Sequence, residues 1–238
     1  MIGGFIVYGD NPKRLILRAI GPSLASFGVS NPLPDPLLNL LDSFGSVIAS
    51  NDNWRSDQEQ SILETGLAPS DDHEAALIAT LSPGSYTAVL GDASNSSGIA
   101  LFEFYDLDPP SSQLINLSTR GSVQTQDRVM IGGFIINGQL PASFILRAIG
   151  PSLSQAGISD ALQDPILELY NSEGSLISQN DNWRSDQEQQ IIDSSLAPSD
   201  DRESAIFANL SPGPYSAIVR GPANSTGTAL FEIYRLLP

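Results

Sequence analysis

The stretch Asn51-Asp52-Asn53-Trp54-Arg55-Ser56-Asp57-Gln58-Glu59-Gln60 sets an indole among short oxygen-bearing side chains, and it recurs letter for letter at Asn180–Gln189. Two chemistries suit such a mixture. The first is binding of a hard cation. Calcium takes six to eight oxygens from carboxylates, amides and carbonyls. Asn51, Asp52, Asn53 and Asp57, with Asp71, Asp72 and Glu74 before the next apolar run, form one candidate set. Asn180, Asp181, Asp186, Asp200 and Asp201 form the second. The spacing is not that of an EF-hand loop. The plainer alternative is a loop held by its own Asx turns. The second chemistry is recognition by an aromatic face. Trp54 and Trp183 are the only tryptophans, and an exposed ring beside Asn and Asp suits a sugar or a protein partner. The alternative is a ring buried beneath a neighbouring helix, plugging an open end of the fold.

A second constellation is expected to be structural. Arg18 and Glu103 each interrupt an apolar strand, and Arg147 and Glu232 repeat the pattern. A buried charge needs a partner, so Arg18 is expected to face Glu103, and Arg147 to face Glu232. Nothing comparable points to catalysis. His73 is the only histidine, and Arg202 takes its place in the second copy. No nucleophile elbow, phosphate loop or zinc-binding His motif occurs. Cysteine is absent, which removes thiolate chemistry and disulfides. The chain is therefore not expected to be an enzyme.

These residues sit in a duplicated frame. Each residue from Met1 to Pro109 aligns without a gap with the one 129 places later (180 − 51), ending at Pro238. In each copy, β-branched and aromatic runs such as Met1–Gly9, Leu15–Ile20 and Ala76–Leu81 are bounded by Gly, Pro, Asn and Asp, as strands are. Asp42-Ser43-Phe44-Gly45 and Asn171-Ser172-Glu173-Gly174 suit type I turns. Ser56-x-x-Glu59 has capping-box spacing ahead of Ile62 and Leu63, which predicts a short helix from Asp57 to about Thr65. The fold expected is all-β: two tandem antiparallel β-sandwiches, jelly-roll-like, each with one short helix. The boundaries expected are 1–109 for the first repeat, 110–112 for a linker and 113–238 for the second. Leu114–Val123 reads as a strand that opens the second copy and has no counterpart in the first. Met1 aligns with Met130, inside the second copy, so the chain is expected to be a piece of a longer repeat protein.

The order of Asp35–Leu40, Asp42–Gly45, Ile48–Asp52, Glu74–Ala76, Leu81–Val89 and Gly98–Tyr105 resembles the bacterial pre-peptidase C-terminal domain. That resemblance implies a jelly-roll-like sandwich on a secreted protein, with calcium and substrate or collagen binding in some relatives. The whole module, with Met-Ile-Gly-Gly-Phe-Ile and Leu-Arg-Ala-Ile-Gly-Pro-Ser-Leu, also resembles a repeat of large secreted or cell-surface proteins of environmental bacteria.

The net charge is −16, with 27 acidic against 11 basic residues. Such a surface repels phosphate backbones and anionic lipid, which argues against nucleic acid and membrane attachment as partners. No apolar run is long enough to span a bilayer. The function expected is a non-catalytic module of an extracellular array, adhesin stalk or filament on a bacterial surface. The partners expected are neighbouring repeats or copies of itself, joined by strand addition. The alternative is an accessory carbohydrate- or protein-binding domain of a secreted hydrolase, meeting a glycan or a matrix protein with the help of calcium.

Overall fold

The computed structural model describes residues 1–108, 112–126 and 128–237. The chain divides into two compact units, Met1–Ile115 and Asn116–Pro238. Of the expected linker and its flank, residues 109–111 lie outside the described residues, and Ser112 already opens a strand.

Unit 1 holds β1 (Ile2–Gly9), β2 (Lys13–Ile20), β3 (Pro36–Leu41), β4 (Val47–Asn51), helix α1 (Glu59–Glu64), β5 (Ala75–Leu81), β6 (Gly84–Asp92) and β7 (Leu101–Asp106). The pairings among these strands are antiparallel, and one isolated parallel bridge joins Pro32 to Ile99. Strand β6 pairs with β1 and β3, and β3 pairs with β4. A second sheet runs β5-β2-β7, with β7 at its edge. In unit 2 the elements are β8 (Ser112–Val123, its part from Asn116 onward), β9 (Met130–Ile136), β10 (Ala142–Ile149), β11 (Ile166–Asn171), β12 (Leu176–Asn180), α2 (Glu188–Asp193), β13 (Ser204–Leu210), β14 (Gly213–Arg220) and β15 (Gly227–Arg235). One sheet runs β12-β11-β14-β9. In the other, β10 pairs with β13 and β15, and β15 pairs on its far side with Asn116–Val123 of β8. The fold is thus an all-β sandwich, twice.

The core of unit 2 lies between its sheets. Leu146, Phe231 and Ile233 from one sheet meet Leu167, Leu169, Ala217 and Val219 from the other. A smaller cluster covers the opposite face of β10 and β13: Ile145, Trp183, Ile191 and Ala205. Ile145 and Leu146 are consecutive, so they point to opposite faces, yet both are fully buried. The sheet is therefore covered on both sides. This explains why Phe144-Ile145-Leu146 is apolar throughout rather than alternating. Unit 1 repeats the device with Ile16, Trp54, Ile62 and Ala76.

Two glycines show why the duplicated motifs tolerate no side chain. A Cβ on Gly132 of β9 would stand 2.4 Å from the Phe231 ring, and one on Gly150 would stand 2.0 Å from the Leu162 carbonyl oxygen. The first glycine admits an aromatic ring against the strand. The second lets the chain turn from β10 into the short 3-10 helix Pro151–Ala156.

The helices differ from expectation at their starts. α1 begins at Glu59, with Gln58 before it at φ 60 and no side-chain cap. The capping box does not form because its members are engaged elsewhere. Ser56 Oγ donates to the Asn53 carbonyl (2.7 Å), and Glu59 pairs with Arg55. No described helix is long and apolar enough to cross a membrane.

Candidate functional site

The decapeptide leaves the end of β4 and crosses the outer face of the β2–β5 pair. It is anchored there by Asn51. The Asn51 amide nitrogen donates to the Asn53 carbonyl (3.0 Å), and its oxygen accepts the Ala76 N–H (3.0 Å). Asn180 does the same with Asn182 and Ala205, at 3.1 Å each. Both amides are buried. Their oxygens therefore hold the loop to the next strand and are not free for a cation.

Trp54 and Trp183 are 1 % and 2 % exposed. The reading of these rings as a ligand platform is corrected: they lie on the outer face of the sheet beneath the helix, not at an open end of the sandwich. The Trp54 indole N–H donates to the Asp71 carbonyl (3.1 Å), and its backbone N–H donates to the Glu74 carbonyl (2.9 Å). The Arg55 guanidinium covers the ring at 4.1 Å from its centroid, and Arg184 covers Trp183 at 4.0 Å. A buried ring stacked under a cation presents no free face to a sugar.

The acids expected around calcium are scattered among different tasks. Asp72 and Glu59 both bind Arg55, as Asp201 and Glu188 bind Arg184. Asp71 accepts the His73 backbone N–H (2.9 Å), a bond that holds its carboxyl below the usual range. Asp200 is also held low, chiefly by the Arg202 guanidinium. Asp52 is half-buried, while Asp57, Asp181 and Asp186 are exposed. Among the described residues no group of three or more acidic, histidine or cysteine side chains is arranged to hold a metal.

Arg18 meets Glu103 and Arg147 meets Glu232, each pair directly across the β2–β7 or β10–β15 register. The Arg147 Nε lies 2.9 Å from Glu232 Oε2, and its NH1 donates to the Leu196 carbonyl (2.9 Å). Arg18 makes the same bonds to Glu103 and Leu67. The pair thus ties the strand beneath to the segment after the helix. Beside it, the Tyr234 hydroxyl donates to Glu232 (2.8 Å). Burial first, and then the Glu232 charge, push that phenol up to about 12.

Three structural roles were not legible in the sequence, among them that of Glu74, which stood with the calcium candidates. Glu74 and Glu203 are fully buried. Oε1 of Glu74 accepts the N–H groups of Gly21 (3.1 Å) and Ser23 (3.0 Å) and the Ser23 hydroxyl (2.6 Å), while Oε2 accepts the Asp71 N–H (3.3 Å). Glu203 does the same for Gly150, Ser152 and Asp200. This carboxylate therefore clasps the Gly-Pro-Ser-Leu corner to the loop beneath the tryptophan. One signal was available: Glu is kept at this position in both copies while its neighbour changes from His73 to Arg202. Gln58 reaches the edge of β5, where its amide accepts the Ile78 N–H (2.8 Å) and donates to the Ile78 carbonyl (3.1 Å). Gln187 pairs likewise with Phe207, at 3.0 Å for both bonds. Lys13, with a fully buried side chain, is neutralised by Asp106 at 2.8 Å.

A depression on unit 2, lined by Ser122, Gln124, Thr125, Asp160, Ala161, Thr226 and Gly227, contains a single ionisable side chain. Its carboxylate accepts the Thr228 hydroxyl (2.9 Å).

No family model matches the chain, and no curated protein does. The chain aligns with a solved structure from Sulfolobus turreted icosahedral virus at 11 % identity and a TM-score of 0.28, covering 100 % of this chain and 91 % of that one. A second alignment is with the structure of infectious bursal disease virus, Gt strain, at 10 % identity and a TM-score of 0.19, covering 98 % of this chain and 68 % of that one. Likenesses this weak carry no argument about fold or function.

Proposed function

We propose that the chain is a non-catalytic structural module, one part of an extracellular array, stalk or filament built from repeated β-sandwiches on a bacterial surface. The observation that carries this reading is what the duplication preserves. The ion pair across the strands, the buried carboxylate clasp, the amide anchor and the arginine-covered tryptophan all recur at the same positions in both units. Each of these uses its polar atoms to fix the scaffold. A repeated unit that keeps its internal clasps is what stacking and avidity require. The acidic surface supports solubility outside a cell. The likeness of the Leu-x-Pro-Gly-x-Tyr segment to pre-peptidase C-terminal domains supports the same location.

Intact-mass analysis and peptide mapping of the polypeptide from its native source test this reading. The expected result is a cell-surface or secreted chain carrying further repeats of this module. A cytoplasmic polypeptide that stays monomeric and carries no further repeat would overturn it.

A further inference from the structure

We infer that the open edge of β7 is a docking slot for a strand of the β8 type supplied by another repeat of this module. The inference rests on the repeat-array reading and names the joint that such an array would use.

The comparison of the two units carries it. In unit 2, β15 has β10 on one side and β8 on the other, the latter in a register from Gly227↔Val123 to Tyr234↔Asn116. In unit 1 the corresponding strand, β7, ends its sheet. The side chains under that edge record the difference. Ala229, Phe231 and Ile233 are buried at 0 %, 5 % and 6 % exposure, whereas Ala100, Phe102 and Phe104 are all half-buried. These are the positions opposite Gly121, Thr119 and Leu117 of β8. In unit 2, Val123 is fully buried and Leu117 packs on the core, so the strand seals this row.

The backbone points the same way. The N–H and C=O of Ile99 bond to Asn31 and Leu33, on the β2 side. Backbone groups alternate along a strand. Those of Ala100, Phe102 and Phe104 therefore face the open side, a row of donors and acceptors that templates another strand. The equivalent Thr228 bonds Asp160 and Leu162, and its neighbour Ala229 faces β8. The occupant thus has defined chemistry: an antiparallel strand with Leu, Thr, Gly and Val on its inward face, as in Leu117, Thr119, Gly121 and Val123.

The absence of native cysteine makes the register directly testable. The full chain carrying Leu101→Cys is mixed under oxidising conditions with a synthetic Leu114–Val123 peptide carrying Arg120→Cys, the partner position of Leu230. Its control carries Ser118→Cys, two residues out of register on the same face. Cross-strand partners fall within disulfide reach, and positions two residues apart do not. The expected yield is at least about tenfold higher for the in-register peptide. Adding Ala100→Pro, which removes an outward N–H, should cut it about tenfold. The pair Ile99→Cys with Ser122→Cys gives an independent reading, should the first variant fail to fold. Equal trapping in both registers, or no trapping with either pair, would overturn the slot. Either outcome leaves the array reading to be decided by the repeat content of the native polypeptide.

Discussion

Glu74→Gln is the substitution that most directly tests the buried clasp. The carboxylate is fully buried and accepts four hydrogen bonds, three on Oε1 and one on Oε2. A glutamine of the same shape keeps the three Oε1 bonds but turns an N–H toward the Asp71 N–H. An orphaned buried donor costs roughly 1–3 kcal/mol. The three retained bonds lose their charge assistance, a further 1 kcal/mol or so each. Part of this is offset, because a neutral amide no longer bears the several kcal/mol of burying an ion. The net expected for unit 1 is a loss of about 2–3 kcal/mol, a large share of the ~5–15 kcal/mol that holds a domain folded. The assay is urea unfolding of the full chain in a Trp183→Phe background, where Trp54 alone reports. With a slope of about 1–3 kcal/mol per molar urea, the midpoint falls by about 0.7–3 M. The mirror experiment, Glu203→Gln in a Trp54→Phe background, should move unit 2 by a similar amount. A midpoint unchanged within error, or a rise, would refute the reasoning, because it would mean that the desolvation cost of the carboxylate exceeds what its four bonds return.

Three further outcomes are expected. Breaking the Arg147–Glu232 pair with Glu232→Gln should cost unit 2 about 3 kcal/mol, since side-chain exposures of 17 % and 9 % leave the arginine poorly hydrated; a double-mutant cycle with Arg147→Met measures the coupling, and a value near zero refutes it. Saturating calcium, compared with chelator, should leave the melting temperature within about 1 °C, because a ligand stabilises only through a site it can fill; here Asn51 and Asp72 already serve Ala76 and Arg55. Unit 2 should weaken in alkali: the Tyr234 phenol, held protonated to about 12 when folded, ionises near 10 when unfolded, so its contribution is intact below pH 10 and is lost as pH rises through about 12. Phenolate absorbance should show a late step that Tyr234→Phe removes, and a step at the ordinary tyrosine pKa would refute the assignment.

The strands were legible because each apolar run ends at a residue with one clear local role, such as Gly45 at φ 80 in the β3–β4 turn. The Arg18–Glu103 and Arg147–Glu232 pairs were legible because a lone charge in an apolar strand demands a partner. The double-sided burial of β2 and β10 left a trace in Leu15-Ile16-Leu17 and Phe144-Ile145-Leu146, which are apolar on both faces, but what covered the second face was not legible. The candidate calcium ligands carry bonds that the sequence could not show. Asn51, Asp71 and Asp72 have the chemistry of ligands, and only tertiary placement shows that backbone N–H groups and Arg55 already take their oxygens. Glu74 was legible only as one acid of the polar run Asp71-Asp72-His73-Glu74; its burial against the Gly21–Ser23 corner was not. Lys13 was hidden because its partner, Asp106, stands at the end of a distant strand, and Ala142 and Arg235 replace the two in the second copy.

The glutamine that reaches β5 has a consequence for direction. Its side-chain amide imitates a peptide group and takes both backbone bonds of Ile78, so a foreign strand meets that flank already occupied. Among the described residues, no side chain does the same on the opposite flank of that three-stranded sheet. A sheet stoppered on one flank and bare on the other grows one way only. Molecules joined through it would share a common polarity, with a head and a tail, and a single glutamine in each unit would be the ratchet that prevents tail-to-tail mispairing.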